Sequence, residues 1–350
     1  MNVYIVSLKY SPGHYSHLVA FYSMLEELGF QPVLYVNRGY RDFLKEDPGV
    51  RVVFTDSEIK YPYPEIALFY NAALENPLVA RKFKREYGSK IFYVYHEPWD
   101  GVRNLVKEGF REGLKKLVAN KCSELLLRYC DRVLLPSLHA LKNYKGYEFR
   151  YNKNCSRYPL IFRDEKREEI DFSIKKYFSF IGNAVEVHQF KKYLQFVKYG
   201  LRNHVDFKFL IATRSNIELL LDEEIRQGIA EEKVKVLSGK DLSSEEINGC
   251  YNESFCVWNV YSKINQSGVL GKAFMFGSPV IAADVGSFPE FVRDKHNGRL
   301  ISPDSSMTEI NEAATEIKHS LEEYSMNARQ SFLKVFYYKS NADKFLKLMM

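Results

Sequence analysis

One stretch, from Asn265 to Glu290, constrains the fold more than any other part of the chain. It contains a small polar turn, an apolar helical segment that ends at Gly277, a short apolar run from Pro279 to Ala283 and a second turn at Gly286. This order is typical of a helix packed on a buried strand. A helix that starts at a small-residue turn offers free backbone N–H groups and a partial positive charge, which suit a phosphate. The stretch therefore predicts an α/β unit with an anion-binding turn.

The same alternation of apolar runs and helical segments extends along the chain. A run from Val3 to Leu8 precedes a turn and an amphipathic helix from His14 to Leu28, which Gly29 ends. Further strands are expected at residues 32–36, 52–55, 65–70, 91–95, 132–136, 177–181, 207–212, 234–237 and 255–260. Strands that alternate with helices form a mostly parallel sheet covered on both faces.

The length of 350 residues favours two such domains. The polar, charged segment 151–176 marks the expected boundary. We therefore predict a first domain over 1–160, a second over 170–330, and a C-terminal helix over 331–350 that packs back on the first domain.

Composition and missing motifs narrow the function. The net charge of +6 suits an acidic partner, and basic residues interspersed with acids argue against nucleic acid. Five cysteines without a C-x-x-C pair argue for a reducing compartment and against a zinc site. No G-x-G-x-x-G follows the first strand and no P-loop is present, which argues against hydride and ATP chemistry. The sequence also lacks an Asp-x-Asp pair, which argues against a metal-bound sugar nucleotide. No signal peptide or membrane-spanning run is visible, so we expect a cytoplasmic location, with access to the inner face of the membrane.

The stretch from Asn265 to Glu290 resembles the donor-binding segment of GT-B glycosyltransferases, in particular the retaining family 4 (glycosyl transferases group 1). It is most similar to a subgroup with the pattern QSGV…A…G.PVIA.DVG..PE.V, matched by Gln266, Ser267, Gly268, Val269, Ala273, Gly277, Pro279–Ala282, Asp284–Gly286, Pro289, Glu290 and Val292. The resemblance implies an α/β, GT-B fold, in which two Rossmann-like doubly wound domains face each other across a cleft. It also implies a nucleotide-sugar donor on the second domain and no metal cofactor.

The chain departs from this family at one pair of positions. Better-known members carry two glutamates eight positions apart, the second of which contacts the ribose. Here Ile264 and Lys272 occupy those places. We expect Lys272 to meet phosphate instead, because a cation suits a diphosphate better than a ribose.

The resemblance assigns donor contacts to several turns of the two domains. Gly13, in the turn after the first strand, either brings backbone amides to the phosphates or serves only a tight turn. Gly182-Asn183 stands where the family often has Gly-Arg, followed by a phosphate-binding lysine. The remaining expected donor contacts are Asn183, Lys191 or Lys192, Arg214, Lys240 beside the base, Gln266, Ser267, Gly268, Val269 and Glu290 on ribose or sugar hydroxyls.

The candidate catalytic residue is His96, directly after the apolar strand at 91–95. It resembles the strand-end histidine of the family, which contacts the transferred sugar; the alternative is a hydrogen-bonded loop histidine. His14 and His17 fit capping or solvated histidines better than catalytic ones.

The helical segment 102–129 is basic and amphipathic. It is expected either to lie on an anionic membrane near a lipid-linked acceptor or to be a solvated surface helix. The sequence as a whole predicts transfer of a sugar from a UDP- or GDP-sugar to a glycan or lipid-linked hydroxyl in bacterial surface polysaccharide synthesis. The alternatives are an inactive GT-B partner subunit and a sugar nucleotide epimerase or hydrolase.

Overall fold

The structure is a computed structural model that describes residues 1–96, 110–145, 154–166 and 168–349. It divides into two compact units. The first unit contains Met1–Arg163 and Phe336–Met350, and the second contains Asp164–Val335. The chain thus leaves the first unit once and returns to it for its last residues.

Seven described strands form the sheet of the first unit, and all pair in parallel. They are β1 (Asn2–Ser7), β2 (Gln31–Val36), β3 (Val52–Phe54), β4 (Ile66–Phe69), β5 (Lys90–Val94), β6 (Arg132–Leu135) and β7 (Asn154–Arg157). Their order in the sheet is β3-β2-β1-β4-β5-β6-β7. The strand order reverses between β1 and β4, with β2 and β3 on one side of β1 and the later strands on the other. Open α/β sheets bind ligands at such a point, at the carboxyl ends of the strands.

Helices cover both faces of this sheet. Those described are α1 (Tyr15–Glu27), α2 (Asn76–Tyr87), α3 (Phe110–Leu127), α4 (Leu138–Lys145) and, near the chain end, α12 (Ala342–Met349). Apolar residues of β1, β4 and β5 are buried on both faces, as their continuous apolar runs predict. Phe345 and Met349 of α12 are buried in one of the two cores, beside Phe21 and Tyr158.

The sheet of the second unit has six described strands, again parallel. They are β8 (Tyr177–Ile181), β9 (Lys208–Thr213), β10 (Val234–Ser238), β11 (Ser254–Asn259), β12 (Val280–Ala283) and β13 (Gly298–Ile301). In the order β10-β9-β8-β11-β12-β13, the strand order reverses between β8 and β11.

The second unit's helices are α5 (Phe190–Arg202), α6 (Glu223–Ala230), α7 (Ser244–Asn252), α8 (Gly268–Met275), α9 (Phe288–Phe291), α10 (Met307–His319) and α11 (Leu321–Ser331). Ser243 and Ser306 begin α7 and α10 with capping boxes, each completed by a glutamate three residues later. The segment Ser325–Leu348, whose sequence favours one helix, is not a single element. A π-helical turn at Phe332–Phe336 and a 3-10 turn at Lys339–Asn341 separate α11 from α12.

Part of the predicted helix 102–129 lies outside the described residues, which resume at 110 within α3. Two strands were not predicted, β7 and β13, whose sequences NCSR and GRLI lack an apolar run. The other expected strands are confirmed to within a residue or two at each end.

Candidate functional site

The N-terminus of α8 is the centre of the candidate site in the second unit. Ser267 caps the helix, its Oγ accepting a hydrogen bond from the Leu270 N–H at 3.1 Å. The N–H groups of Gly268 and Val269 have no acceptor within the helix, because they belong to its first turn. They are therefore available to an anion, and the partial positive charge of the helix end favours one.

Asn259, at the end of β11, extends this helix terminus. Its side chain is fully buried, and its Oδ1 accepts from the Ser267 Oγ at 3.1 Å. Its Nδ2 has no hydrogen-bond partner in the described part of the chain. A buried amide donor without an acceptor costs about 1–3 kcal/mol, so it fits a place where a ligand supplies the acceptor.

Tyr261 and His188 complete the same cluster. Burial raises the pKa of Tyr261 above its ordinary value, and a hydrogen bond to Ser267 opposes the shift. The His188 ring stacks on Tyr261, with centroids 4.2 Å apart and planes at 21°. Its Nδ1 lies 2.8 Å from the Asn183 carbonyl oxygen and therefore donates to it. His188 is thus held beside the start of α8.

The turn after β8 lies against α8. A Cβ on Gly182, whose φ is +131°, would stand 3.5 Å from a methyl group of Val269. Asn183 follows, and its Oδ1 accepts from the Arg214 Nε at 3.0 Å. Both side chains are exposed. The structure therefore brings Asn183 and Arg214 to the carboxyl ends of β8 and β9, on the side of the sheet where α8 begins.

A second turn packs on the residues before Ser267. Gly286 has φ +58°, and a Cβ there would lie 2.0 Å from the Ile264 carbonyl oxygen, so only glycine fits. The Ser287 N–H donates to that same oxygen at 3.2 Å. Glu290, half-buried in α9, and Gln266, half-buried before Ser267, are thereby carried by adjoining turns.

The predicted lysines have different surroundings. The Lys272 Nζ lies 2.7 Å from a carboxylate oxygen of Glu165 and 2.7 Å from the Asn248 Oδ1. An ammonium already neutralised in this way does not favour the expected contact with phosphate. Lys240 pairs with Glu246 at 3.2 Å, on an exposed surface.

At the start of α5, Lys192 donates to the Pro303 carbonyl oxygen. Lys191 is exposed, and in the described chain it forms no ion pair. The donor roles of Lys191, Lys240 and Lys272 remain predictions.

In the first unit, the loop after β1 is fastened by buried polar groups. The Tyr40 hydroxyl accepts from the Ser11 N–H at 3.0 Å, and the Asn71 amide donates to the Ser7 Oγ at 2.9 Å. Gly13 has no left-handed backbone angle, and among the described residues a Cβ there would meet nothing within 4 Å. The turn itself therefore does not require glycine, and the donor role of Gly13 remains a prediction.

Three histidines surround Tyr70 at the carboxyl ends of β1, β4 and β5. The rings of His14 and His96 stack, with centroids 5.2 Å apart. Tyr70 contacts His96 at 4.6 Å, His14 at 5.3 Å and His17 at 5.9 Å between centroids. His17 is buried, with its Nδ1 2.9 Å from the Ile161 carbonyl oxygen. His17 is therefore a core residue, whereas His14 and His96 lie half-buried at the strand ends.

These imidazoles are held in a low-polarity environment. Burial, followed by the neighbouring His96 and His17, lowers the pKa of His14 to about 2. The His14 Nδ1 and the Tyr70 hydroxyl are buried without a hydrogen-bond partner among the described residues. A neutral imidazole both donates and accepts hydrogen bonds, so His14 suits uncharged hydroxyl groups.

Sequence reasoning missed Asn259, His188, Tyr261 and Tyr70. Asn259 is preceded by the buried strand β11, and a polar residue at a strand end was the available signal. His188 and Tyr261 lie far apart in sequence and meet only in the folded unit.

In the described residues, no group of three or more His, Cys, Asp or Glu side chains is arranged to hold a metal ion. Among the same residues, none of the helices has the length and apolar character needed to cross a bilayer.

The chain is similar to known proteins in one family region and in its fold. Residues 175–320 match the family model described as Glycosyl transferases group 1. No curated protein sequence matches the chain. Among solved structures, Anabaena HepE in complex with UDP is 13% identical with a TM-score of 0.71, covering 100% of this chain and 99% of that one.

Two further structures are similar over almost the whole chain. TarM is 10% identical with a TM-score of 0.74, covering 99% of this chain and 98% of its own. The pneumococcal O-GlcNAc transferase GtfA in complex with UDP and GlcNAc is 12% identical with a TM-score of 0.70, with coverage of 99% and 98%. The predicted GT-B fold is confirmed: the chain has the architecture of a GT-B glycosyltransferase, and the region that matches the Glycosyl transferases group 1 model lies within its second unit.

Proposed function

We propose that this glycosyltransferase moves a sugar from a UDP- or GDP-sugar to a hydroxyl acceptor, with retention of the anomeric configuration, in the synthesis of a bacterial surface glycan. The observation that carries the proposal is the start of α8. There, the N–H groups of Gly268 and Val269, which have no acceptor within the helix, lie near Asn259, whose Nδ2 is buried without an acceptor in the described chain. The similar HepE structures contain UDP or UDP-glucose, which supports a uridine nucleotide.

In the proposed mechanism, the leaving diphosphate accepts hydrogen bonds from the N–H groups after Ser267. Fixed donors of this kind stabilise developing negative charge without reorganising during the reaction. Arg214, whose Nε donates to Asn183, adds an exposed cation at the same end of the sheet. Glu290 accepts hydrogen bonds from ribose or sugar hydroxyls, and His96, stacked on His14, contacts a hydroxyl of the transferred sugar.

The first test is thermal unfolding with UDP-, GDP-, dTDP- and CMP-sugars, without metal and then with it. A donor at about 100 times its dissociation constant should stabilise the protein by roughly 2.7 kcal/mol, which raises the unfolding midpoint by a few degrees. We expect Ser267→Ala to lose most of this stabilisation, because it removes the hydrogen bonds that hold the helix terminus and Asn259.

Ser306→Ala is the matched control, because Ser306 caps α10 in the same unit. Both variants should lose about 1 kcal/mol of unfolding free energy, but only Ser267→Ala should lose the donor effect. Equal donor stabilisation in both variants would remove α8 from the donor site.

A specific observation favours one alternative, a binding-only partner subunit. Lys272 stands where relatives have the ribose-binding carboxylate, and it is paired with Glu165. Release of UDP from a bound UDP-sugar distinguishes the two readings: a transferase releases it faster when acceptor is added, and a partner subunit does not. An epimerase would convert the donor with no acceptor present.

A further inference from the structure

Helix α2 carries a solvent-facing stripe that begins apolar and ends basic. Leu74, just before the helix, is 62% exposed, and Leu78 is 70% exposed. Arg81, Lys82 and Arg85 follow on the same face and are exposed. In the described part of the chain none of these three cations forms an ion pair. Large exposed leucines beside unpaired cations are unusual on a surface that faces only water.

Helix α3 repeats this pattern beside α2, against which it packs. Leu114, Leu117 and Val118 share one face and are 52%, 43% and 43% exposed. Lys121 follows on that face, paired with Glu124 at 2.8 Å. The exposed apolar residues of the two helices thus lie in the first half of each stripe, and the cations follow them.

The topology puts the apolar ends of the stripes on α2 and α3 at the same edge of the sheet. Helix α2 connects the parallel neighbours β4 and β5, and α3 precedes β6, the next strand. Helices that connect parallel strands run antiparallel to them, so the starts of α2 and α3 lie towards the carboxyl ends of the strands. Tyr70 and His96 follow β4 and β5 at that edge, and Leu74 comes four residues after Tyr70.

Charge points to the kind of partner. The sequences of α2 and α3 contain eight basic and three acidic residues, a formal charge of +5 in a chain whose net charge is +6. An anionic bilayer complements such a surface, because it accepts leucine side chains at its headgroup boundary and attracts the flanking cations. A second copy of this chain would bring the same positive charge against itself.

We propose that the exposed faces of α2 and α3 form a docking face for an anionic lipid bilayer. The docking face consists of Leu74, Leu78, Arg81, Lys82, Arg85, Leu114, Leu117 and Val118. The sequence alone left residues 102–129 open between a membrane contact and a solvated surface helix, and the structure adds α2. If the proposed glycosyl transfer is correct, binding through the docking face brings the sheet edge that carries Tyr70 and His96 towards the lipid surface. The acceptor is then a hydroxyl carried on a membrane lipid.

The test is flotation of the full chain with phosphatidylcholine vesicles, with and without phosphatidylglycerol. Wild-type protein should float with the anionic vesicles, and high salt should release much of it. We expect Leu74→Ser/Leu78→Ser/Leu117→Ser and Arg81→Gln/Lys82→Gln/Arg85→Gln each to weaken partitioning by about tenfold or more.

Matched controls lie in the second unit. Leu219→Ser alters a leucine that is 99% exposed, and Lys176→Gln/Lys208→Gln removes two lysines without ion pairs in the described chain. Both controls should float as wild type does. The inference is overturned if wild-type protein does not bind anionic vesicles, or if the docking-face variants bind as well as the controls do.

Sedimentation tests the alternative occupant of the docking face, a second copy of this chain. A wild-type dimer that the leucine variant dissociates, without vesicle binding by either protein, would make the face a contact between copies and overturn the membrane proposal. The unfolding shift with UDP-glucose, measured on the same variants, should equal that of wild type. The vesicle assay therefore tests the membrane proposal, and the unfolding shift tests the proposed function, each without depending on the other.

Discussion

Lys175 is a buried lysine whose described hydrogen-bond partners are uncharged. Its Nζ lies near the backbone oxygens of Ser254 and Phe276, both at 3.1 Å, and the Ser278 Oγ at 3.0 Å. Phe276 follows the C-terminus of α8, where the helix dipole favours a positive group. Burial nevertheless lowers the pKa of Lys175 to about 7, and the neighbouring Lys166 adds to the shift.

This pKa predicts how stability varies with pH. Between pH 7 and the ordinary lysine pKa of about 10.5, the unfolded chain binds a proton that the folded chain does not, so stability rises with pH. The unfolding free energy of wild type relative to Lys175→Met should therefore grow from pH 7 to pH 10, by at most about 1.4 kcal/mol per pH unit. Lys176→Met, at the exposed neighbour, should show no such trend. Parallel curves for wild type and Lys175→Met would mean that Lys175 stays charged throughout.

At the scale of elements, the ion pair of Lys272 fixes the body of α8. Glu165 accepts from both Lys272 and the Asn248 amide, at 2.7 and 2.9 Å, and its own N–H donates to the Met275 sulfur. These contacts tie α8 to α7 and to the first residues of the second unit. We interpret Lys272 as a positioning residue for α8, in place of a phosphate ligand.

A double-mutant cycle tests this interpretation. Lys272→Met and Glu165→Met should each destabilise the protein, with a coupling energy of about 0.5–3 kcal/mol, because the remaining partner is left partly buried and unpaired. The double variant should bind UDP-glucose nearly as tightly as wild type does. The exposed pair Lys318 and Asp206 serves as the control, with a coupling of about 0–1 kcal/mol. Loss of donor affinity in the double variant would instead return Lys272 to the phosphate site.

The elements that the sequence predicted well are those that one local signal defines. Buried parallel strands have continuous apolar runs, so β1, β4, β8 and β11 were visible. Edge strands such as β7 need no such run, and the break after α11 leaves the apolar spacing intact. Ser267 was visible as part of a polar turn in a motif, whereas the pairing of His188 with Tyr261 depends on strand order, which no local pattern contains.

At the scale of the molecule, the first unit needs both ends of the chain. Phe345 of α12 is 1% exposed and packs on Phe21 and Tyr158. Phe345→Ala should cost about 3–5 kcal/mol, and hydrogen exchange of the β1 and β4 amides should report the loss. Met326→Ala, at a site 55% exposed in α11, should change stability by less than about 0.5 kcal/mol. Unchanged exchange in β1 and β4 would show that α12 is dispensable to this core.

The return of the chain at Phe336 also sets an order of events during synthesis. The second unit is continuous in sequence, whereas the first waits for Phe336–Met350. Synthesis therefore completes every residue of the second unit before it adds the helix that closes the first. Chains shortened to end at Val335 should protect the later-made unit from protease while the earlier-made one is still cut, the reverse of the usual order from N-terminus to C-terminus.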